Sequence, residues 1–239
     1  MRKKQKMGKF FVFEGIDGSG KSTQANLLIK HLKKAGTITA FIDFPQYGKK
    51  SAGLIEEYLV GKYGPSTKVT PYQASIFYAC DRYDASFTIR DWLKRGKIVV
   101  ADRYIGSNIG HQGGKIKNKK EREKFLRWLY NLEYSIFQIP KPDTVFILKV
   151  PPRIAQSLAG KITDKEKKVK KRIYLGHKKR DIHEKDLTHL INTERSYLEA
   201  AKKFPRDFKI IECLKRGKLL PPEIIHQEIW KITKQILKL

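Results

Sequence analysis

Gly15 is followed by four residues and then by Gly20-Lys21-Ser22, within the stretch FEGIDGSGKSTQ at 13–24. A glycine turn that ends in Lys-Ser narrows the folds open to this chain more than any other feature. The glycines let backbone N–H groups turn inward and wrap phosphate oxygens, the lysine supplies a point charge, and the serine hydroxyl can ligate Mg²⁺. Context supports that chemistry. The run KFFVF just before the loop reads as a buried strand, and GKSTQANLLIKHLKKAG after it carries Leu27, Leu28, His31 and Leu32 at helical spacing with Gly36 as a stop. The helix adds its positive dipole end to the loop. Gly15, Asp17, Gly18, Ser19, Gly20, Lys21, Ser22 and Thr23 are therefore read as a phosphate-binding loop.

Strand and helix signals alternate along the rest of the chain. TITAFIDFP, KIVVADRY, DTVFILKVPP and FKIIECL read as four further strands. Between them, TPYQASIFYACDRYDASFTIRDWLKRG reads as a long helix with Thr70 as cap, Pro71 in its first turn and Gly96 as its stop. KEREKFLRWLYNLEYSIF reads as another, and PPEIIHQEIWKITKQILKL as a closing amphipathic helix. Five apolar strands separated by helices predict an α/β fold: a parallel sheet covered on both faces, the three-layer α/β/α arrangement of P-loop NTPases. With 239 residues and no dividing linker or internal repeat, one domain over 1–239 is expected. No apolar run approaches bilayer length, so a soluble, cytoplasmic protein without a membrane partner is the expectation. Cys80 and Cys213 are read as two buried free thiols. The formal charge of +27 suits either a nucleic-acid binder or an enzyme of anionic substrates. Much of the excess sits in local lysine clusters, which are ordinarily solvated, and no strand-binding motif accompanies it. No specific nucleic-acid partner is expected.

A second piece of chemistry lies in VVADRY. Asp102 ends a predicted strand at the carboxyl edge of the sheet, where ligands bind in such folds. There it can hold Mg²⁺ through water, and Arg103 beside it suits bidentate capture of a phosphate.

With these residues in place, the chain resembles the thymidylate kinases. FEGIDGSGKSTQ, FPQYGKKSAGLIEEYLVGKYG, FYACDRYDA, ADRYIGSNIGHQGG and KKRDIHEKDL occur in that family's order and at its approximate spacing. The resemblance implies transfer of the γ-phosphoryl group of ATP to dTMP with Mg²⁺, a five-stranded parallel sheet with a helical lid over about 153–183, and a homodimer, here through the long helix at 71–95. It also implies roles for individual residues. Asp17 falls near the acceptor's sugar 3′-hydroxyl and phosphate, and Phe44 and Tyr47 belong to the segment that closes over that phosphate. Tyr78 falls on the ring that stacks on thymine, with Phe77 an alternative by a slip of one. Arg82, four residues further along the same helix face, would meet a base carbonyl. Ser107 and Asn108 fall on the base N3 side. His111 stands where many relatives carry a tyrosine beside the sugar C2′, so its ring nitrogens are expected to tolerate a ribose hydroxyl. Gln112 completes that segment.

The phosphate loop carries Asp17-Gly18-Ser19 and no arginine. Charge for the transferring phosphoryl group must then come from Lys21, Arg103 and the lid, where Arg172 and Arg180 are the candidates. Arg153 follows VPP and reads as a helix start. Two other functions fit the same residues. One is a kinase of another nucleoside monophosphate on the same fold. The other is a nucleic-acid-binding P-loop ATPase.

Overall fold

The computed structural model describes residues 7–65, 68–159 and 187–239. Five strands, β1 (Phe10–Glu14), β2 (Thr39–Asp43), β3 (Ile98–Asp102), β4 (Thr144–Lys149) and β5 (Phe208–Glu212), form one sheet in the order β2-β3-β1-β4-β5. Every pairing is parallel. β1 is thus central, and the loop that leaves it lies between the ends of β3 and β4. Helices cover both faces, as the apolar strands require. The P-loop NTPase α/β architecture expected from the pattern is present.

The two faces follow from the period of two along β1. Phe10 and Val12 point into a core built with α3 (Pro71–Lys94), α5 (Lys119–Tyr130) and most of α7 (Leu187–Lys203). Phe11 and Phe13 point the other way, onto α1 (Lys21–Lys34), α6 (Pro152–Ala159) and α8 (Pro222–Leu237). A smaller cluster gathers Ala52, Ile55, Tyr58 and Leu59 around α2 (Gly53–Leu59), with Tyr47, Phe77 and Tyr78 packed against it. Between β3 and α5 the chain runs as short helical turns, α4 (Ile105–Ser107) followed by irregular turns to Lys115.

Local signals set most boundaries. Thr70 and Gln73 form a reciprocal capping box at the start of α3, with Pro71 in its first turn. α1 and α3 both end just before glycines of positive φ, Gly36 and Gly96. α5 is capped by Asn118, which accepts from the Glu121 N–H at 3.2 Å, and the helical path continues as a wider turn over Asn131–Ile136. Arg153 lies in the first turn of α6. The segment at 160–186, with Arg172 and Arg180, lies outside the described residues, as does most of the expected lid.

One expectation is corrected. Cys213 is buried, but Cys80 is exposed. Cys80 belongs to the outward stripe of α3 with Ile76, Tyr83 and Phe87 rather than to its core-facing side, where Ala74, Ala79 and Ala85 lie. No helix among the described residues is long and apolar enough to cross a membrane.

Phe146 on β4 anchors the second core, with its ring 6.2 Å from Phe11 and 5.3 Å from Phe13. Phe146→Ala should lower the unfolding free energy by about 3–5 kcal/mol through lost burial and a cavity. A urea titration that places the cost below about 1 kcal/mol would contradict this packing.

Candidate active site

The site is assembled at the carboxyl ends of β1 and β3. The loop Gly15–Gly20 turns back over the N-terminus of α1, and Gly18 and Gly20 have φ of 85° and 87°. At Gly18 the backbone also passes so close to α6 that a Cβ would meet Ala155 O at 1.9 Å. No side chain fits there, and the loop path depends on that approach. Lys21 is buried, and its Nζ donates to Gly15 O at 3.0 Å and Ile16 O at 2.9 Å, spanning the loop. Ser19 is buried and Thr23 is exposed in the first turn of α1. Ser22 Oγ donates to Asp102 Oδ2 at 2.6 Å. The helix hydroxyl and the strand carboxylate therefore meet at one point. Both are hard oxygen donors, and the pair suits a cation such as Mg²⁺.

Arg103 follows Asp102 with φ of 71°, an uncommon conformation for a residue with a side chain. Its N–H donates to Phe13 O at 2.9 Å, which holds the turn against β1. The turn aims the guanidinium across the loop mouth. One arm donates to Asp17, and the other reaches Ser107 Oγ at 3.2 Å and His111 Nε2 at 3.1 Å. Asp17 also lies 3.9 Å from Lys21 Nζ and keeps 39% of its side-chain exposure. Its withdrawal from water works to raise its carboxyl pKa, but the Arg103 charge, followed by that of Lys21, overcomes this and holds it well below the usual carboxylate range.

Glu14, which the sequence reading passed over, lies beneath these groups. It is fully buried at the end of β1. Oε1 accepts from the N–H groups of Tyr104 at 2.7 Å and Ser107 at 2.9 Å. Oε2 accepts from Ser107 Oγ at 2.8 Å and Tyr197 Oη at 2.9 Å. Burial pushes this carboxyl up, opposed by the Arg103 charge and by its donors. Gly106 lies against it, since a Cβ there would stand 2.8 Å from Glu14 Oε1.

The expected acceptor residues divide into two groups. Asp17, Arg103, Ser107 and His111 come together as described. Phe44 packs on Tyr104 with ring centroids 5.5 Å apart, and Tyr47 and Tyr78 stand half-buried beside Tyr58. The Phe44–Ser51 segment is pinned to α3 by Asp81, which accepts from Gln46 N at 2.9 Å, Gln46 Nε2 at 3.1 Å and Ser51 Oγ at 2.7 Å. Neither Gln46 nor Asp81 was singled out in the sequence, though Asp81 adjoins Arg82.

Other side chains are engaged differently from the expectation. Ser107 donates its hydroxyl to Glu14, and Asn108 is buried with Nδ2 on Ser75 O at 3.1 Å. Gln112 is buried, at 1% exposure. Both ring nitrogens of His111, expected to face a sugar, are taken by protein: Nε2 by Arg103 and Nδ1 by His189 at 3.1 Å. Arg82 is the clearest departure. Its side chain is 2% exposed, and its Nε lies 3.0 Å from both oxygens of Glu133, whose side chain is fully buried. Nη2 donates to the same carboxylate, and Nη1 reaches Tyr104 O at 3.3 Å. A buried guanidinium requires such a partner, so most of its hydrogen-bonding edge is internal.

A family model described as thymidylate kinase matches residues 13–229. The thymidylate kinase of Plasmodium falciparum (isolate 3D7) is 31% identical over 176 residues, covering 73% of this chain and 78% of that protein. The probable thymidylate kinase of Methanocaldococcus jannaschii is 31% identical over 227 residues, covering 95% and 96%. Among solved structures, that of the Candida albicans thymidylate kinase matches with a TM-score of 0.66 at 24% identity, over 96% of this chain and 92% of that one. That of Ehrlichia chaffeensis matches with a TM-score of 0.62 at 21% identity, over 95% and 99%. These two structures share the fold.

The Arg82–Glu133 pair can be separated from any ligand contact. Arg82→Ala should cost about 3–5 kcal/mol of stability, because it leaves a buried carboxylate unpaired. The double variant Arg82→Met/Glu133→Leu should regain much of that loss. If Arg82→Ala melts within about 1 kcal/mol of the parent, the pair is not structural and the arginine is held for a ligand.

Proposed function

The chain belongs to the thymidylate kinase family, and from that premise we propose that it transfers the γ-phosphoryl group of ATP to dTMP, giving dTDP and ADP. The observation that carries the proposal is the position of Arg103. Its guanidinium touches the phosphate loop at Asp17 and the acceptor segment at Ser107 and His111 at once. A donor phosphate on the loop and an acceptor phosphate on that segment would therefore share one cation.

In this reading the loop N–H groups and the α1 terminus hold the ATP phosphates. Lys21, now hydrogen-bonded to two loop carbonyls, exchanges them for phosphate oxygens. Ser22 and Asp102 would hold Mg²⁺, which when bound neutralises charge on the phosphate oxygens. On the acceptor side, Tyr47 and Phe44 close over the dTMP phosphate, Tyr78 offers a ring to the base, and Asn108 and Gln112 line the pocket. Arg82 keeps one corner, Nη1, from which to address a base carbonyl beside Tyr104 O. Asp17 orients Arg103 and meets the sugar. An oxygen of the dTMP phosphate, already anionic, attacks the γ-phosphorus as the bond to ADP breaks, so no general base is needed. Arg172 and Arg180, outside the described residues, are the expected further source of charge for the transferring group. The main task of the protein is positioning and electrostatic stabilisation.

The reading extends to assembly and location. α3 leaves Ile76, Tyr83 and Phe87 exposed at 42%, 43% and 59% along one stripe, which suits a homodimer formed through that helix. A cytoplasmic location belongs to the same reading.

The test is an ADP-release assay over dTMP, dUMP, dGMP, UMP and thymidine. dTMP should give the highest kcat/KM, and Lys21→Ala should lower kcat by about 10²–10³-fold while the protein stays folded. Preference for dGMP or thymidine, or ATP hydrolysis that needs DNA and no monophosphate, would overturn the proposal.

A further inference from the structure

Lys115 is a cation that the proposed reaction leaves unused. It ends the Gly113–Lys115 turn, at the close of the segment after β3. That turn has a rigid base. Ser196 Oγ on α7 donates to Ile109 O at 2.6 Å, and a Cβ at Gly114 would stand 3.0 Å from the backbone of Asn192 on the same helix. From this base the half-buried lysine reaches across to α2, where its Nζ donates to Tyr58 Oη at 2.7 Å. Lysine ordinarily keeps its head in water. Here burial pushes the ammonium pKa down to about 8, so the contact is made at the expense of hydration.

Tyr58 carries that contact onward. It is fully buried. Its ring meets those of Phe77 and Tyr78 on α3 edge-on, with centroids 6.3 and 6.5 Å apart. Tyr47 packs on the same cluster. α3 is also tied to the segment after β3 at another point, by Asn108 Nδ2 on Ser75 O at 3.1 Å. That bond fixes the helix against the segment. It leaves open the direction of the Tyr78 ring, one turn further along, and the edge of Tyr58 supports that ring. Tyr58 is therefore held at its hydroxyl by Lys115 and braces Tyr78 with its ring.

We infer that Lys115 is a positioning residue that sets base specificity: through Tyr58 it fixes the Tyr78 ring at a spacing from the Asn108–Gln112 turn that admits a pyrimidine and excludes a purine. With the helix tied at Ser75, the setting of the Tyr78 ring is the freedom that remains in the gap between that ring and the turn. A purine carries a second fused ring and needs more of the gap. A packed wall braced from behind yields little, so a small difference in ring size is felt. Without the lysine, Tyr58 and Tyr78 can lean away and the gap widens. The inference deepens the reading in which Tyr78 and this turn face the acceptor base, and rests on it. It does not depend on the transfer step.

Equilibrium binding separates the two. Isothermal titration calorimetry would give the affinities of dTMP, dGMP and ADP for wild type, Lys115→Met, Tyr58→Phe and the double variant. Methionine keeps an unbranched stem and loses the donor; phenylalanine keeps the ring and loses the acceptor. Wild type should prefer dTMP to dGMP. Each single variant should lower that preference about 5- to 30-fold, the scale of one lost hydrogen bond, with dTMP bound more weakly and dGMP no more weakly. The double variant should lose no more than either single one, because both remove the same contact. ADP affinity should stay at the wild-type value in all of them, which reports an intact fold and phosphate loop. A parental preference in Lys115→Met, or a double variant whose loss is the product of the two single losses, would make Lys115 and Tyr58 separate packing residues and overturn the inference. A wild type that binds dGMP as tightly as dTMP overturns it as well. Turnover is followed separately by ADP release. A wild type that prefers dTMP in binding, loses that preference in the variants and phosphorylates no dTMP would overturn the reaction assignment and uphold the role of Lys115.

Discussion

A single buried carboxylate ties the sheet to the site. Glu14 is the last residue of the central strand, and its oxygens accept from the backbone of Tyr104 and Ser107, from the Ser107 hydroxyl and from Tyr197 on α7. An ionised carboxylate is an acceptor only, and all its partners here are donors, so the arrangement is satisfied in the charged form. Its position sets two others. The phosphate loop begins at the next residue, and the turn that aims Arg103 is held between Tyr104 N on Glu14 and Arg103 N on Phe13 O. The loop after β1 and the segment after β3 are thus both referenced to the end of β1, rather than to each other through flexible chain.

Other polar contacts around the site likewise tie distant segments together. Asp17–Arg103, Ser22–Asp102, Arg82–Glu133 and Gln46–Asp81 each join segments far apart in sequence. A buried ion pair is a weak source of net stability, because desolvation offsets its attraction. What such pairs supply is geometry, since loosening either partner leaves an uncompensated charge. Stability comes instead from the two apolar layers that flank the sheet. The structure separates the tasks: the layers keep the chain folded, and the polar pairs fix where the charged side chains of the site face.

Local patterns made the fold and the loop half of the candidate site legible in the sequence. The phosphate loop, the strand before it and the helix after it are neighbours along the chain, and so are Asp102 and Arg103. The α3 capping box is likewise a contact of residues three apart. The segment after β3 and its neighbours were less legible, because their residues are set by partners at long separation. Glu14 meets Tyr197 across 183 positions, Arg82 meets Glu133 across 51, and His111 meets His189 across 78. No spacing rule points from one to the other, so Arg82 reads as a free base reader and His111 as a sugar neighbour until the helices are docked. Glu14 was hidden for another reason. It looks like the polar end of an apolar strand, and only the clash that a Cβ at Gly106 would make against it marks how closely the acceptor segment is drawn in.

The most direct test is therefore Glu14→Gln, which keeps the shape and replaces one acceptor oxygen with a donor NH₂. Stability, kcat and both KM values should be measured on the same preparation. The account predicts a stability loss of about 1–3 kcal/mol, because the Ser107 and Tyr197 hydroxyl protons lose their shared acceptor and the charge that faces Arg103 is gone. It also predicts a fall in kcat for dTMP phosphorylation that persists at temperatures where the variant is fully folded, because Arg103 and the acceptor segment have shifted together. A folded Glu14→Gln protein with the parent's kcat and KM values would contradict it, and would mean that the two halves of the site hold their places without this carboxylate.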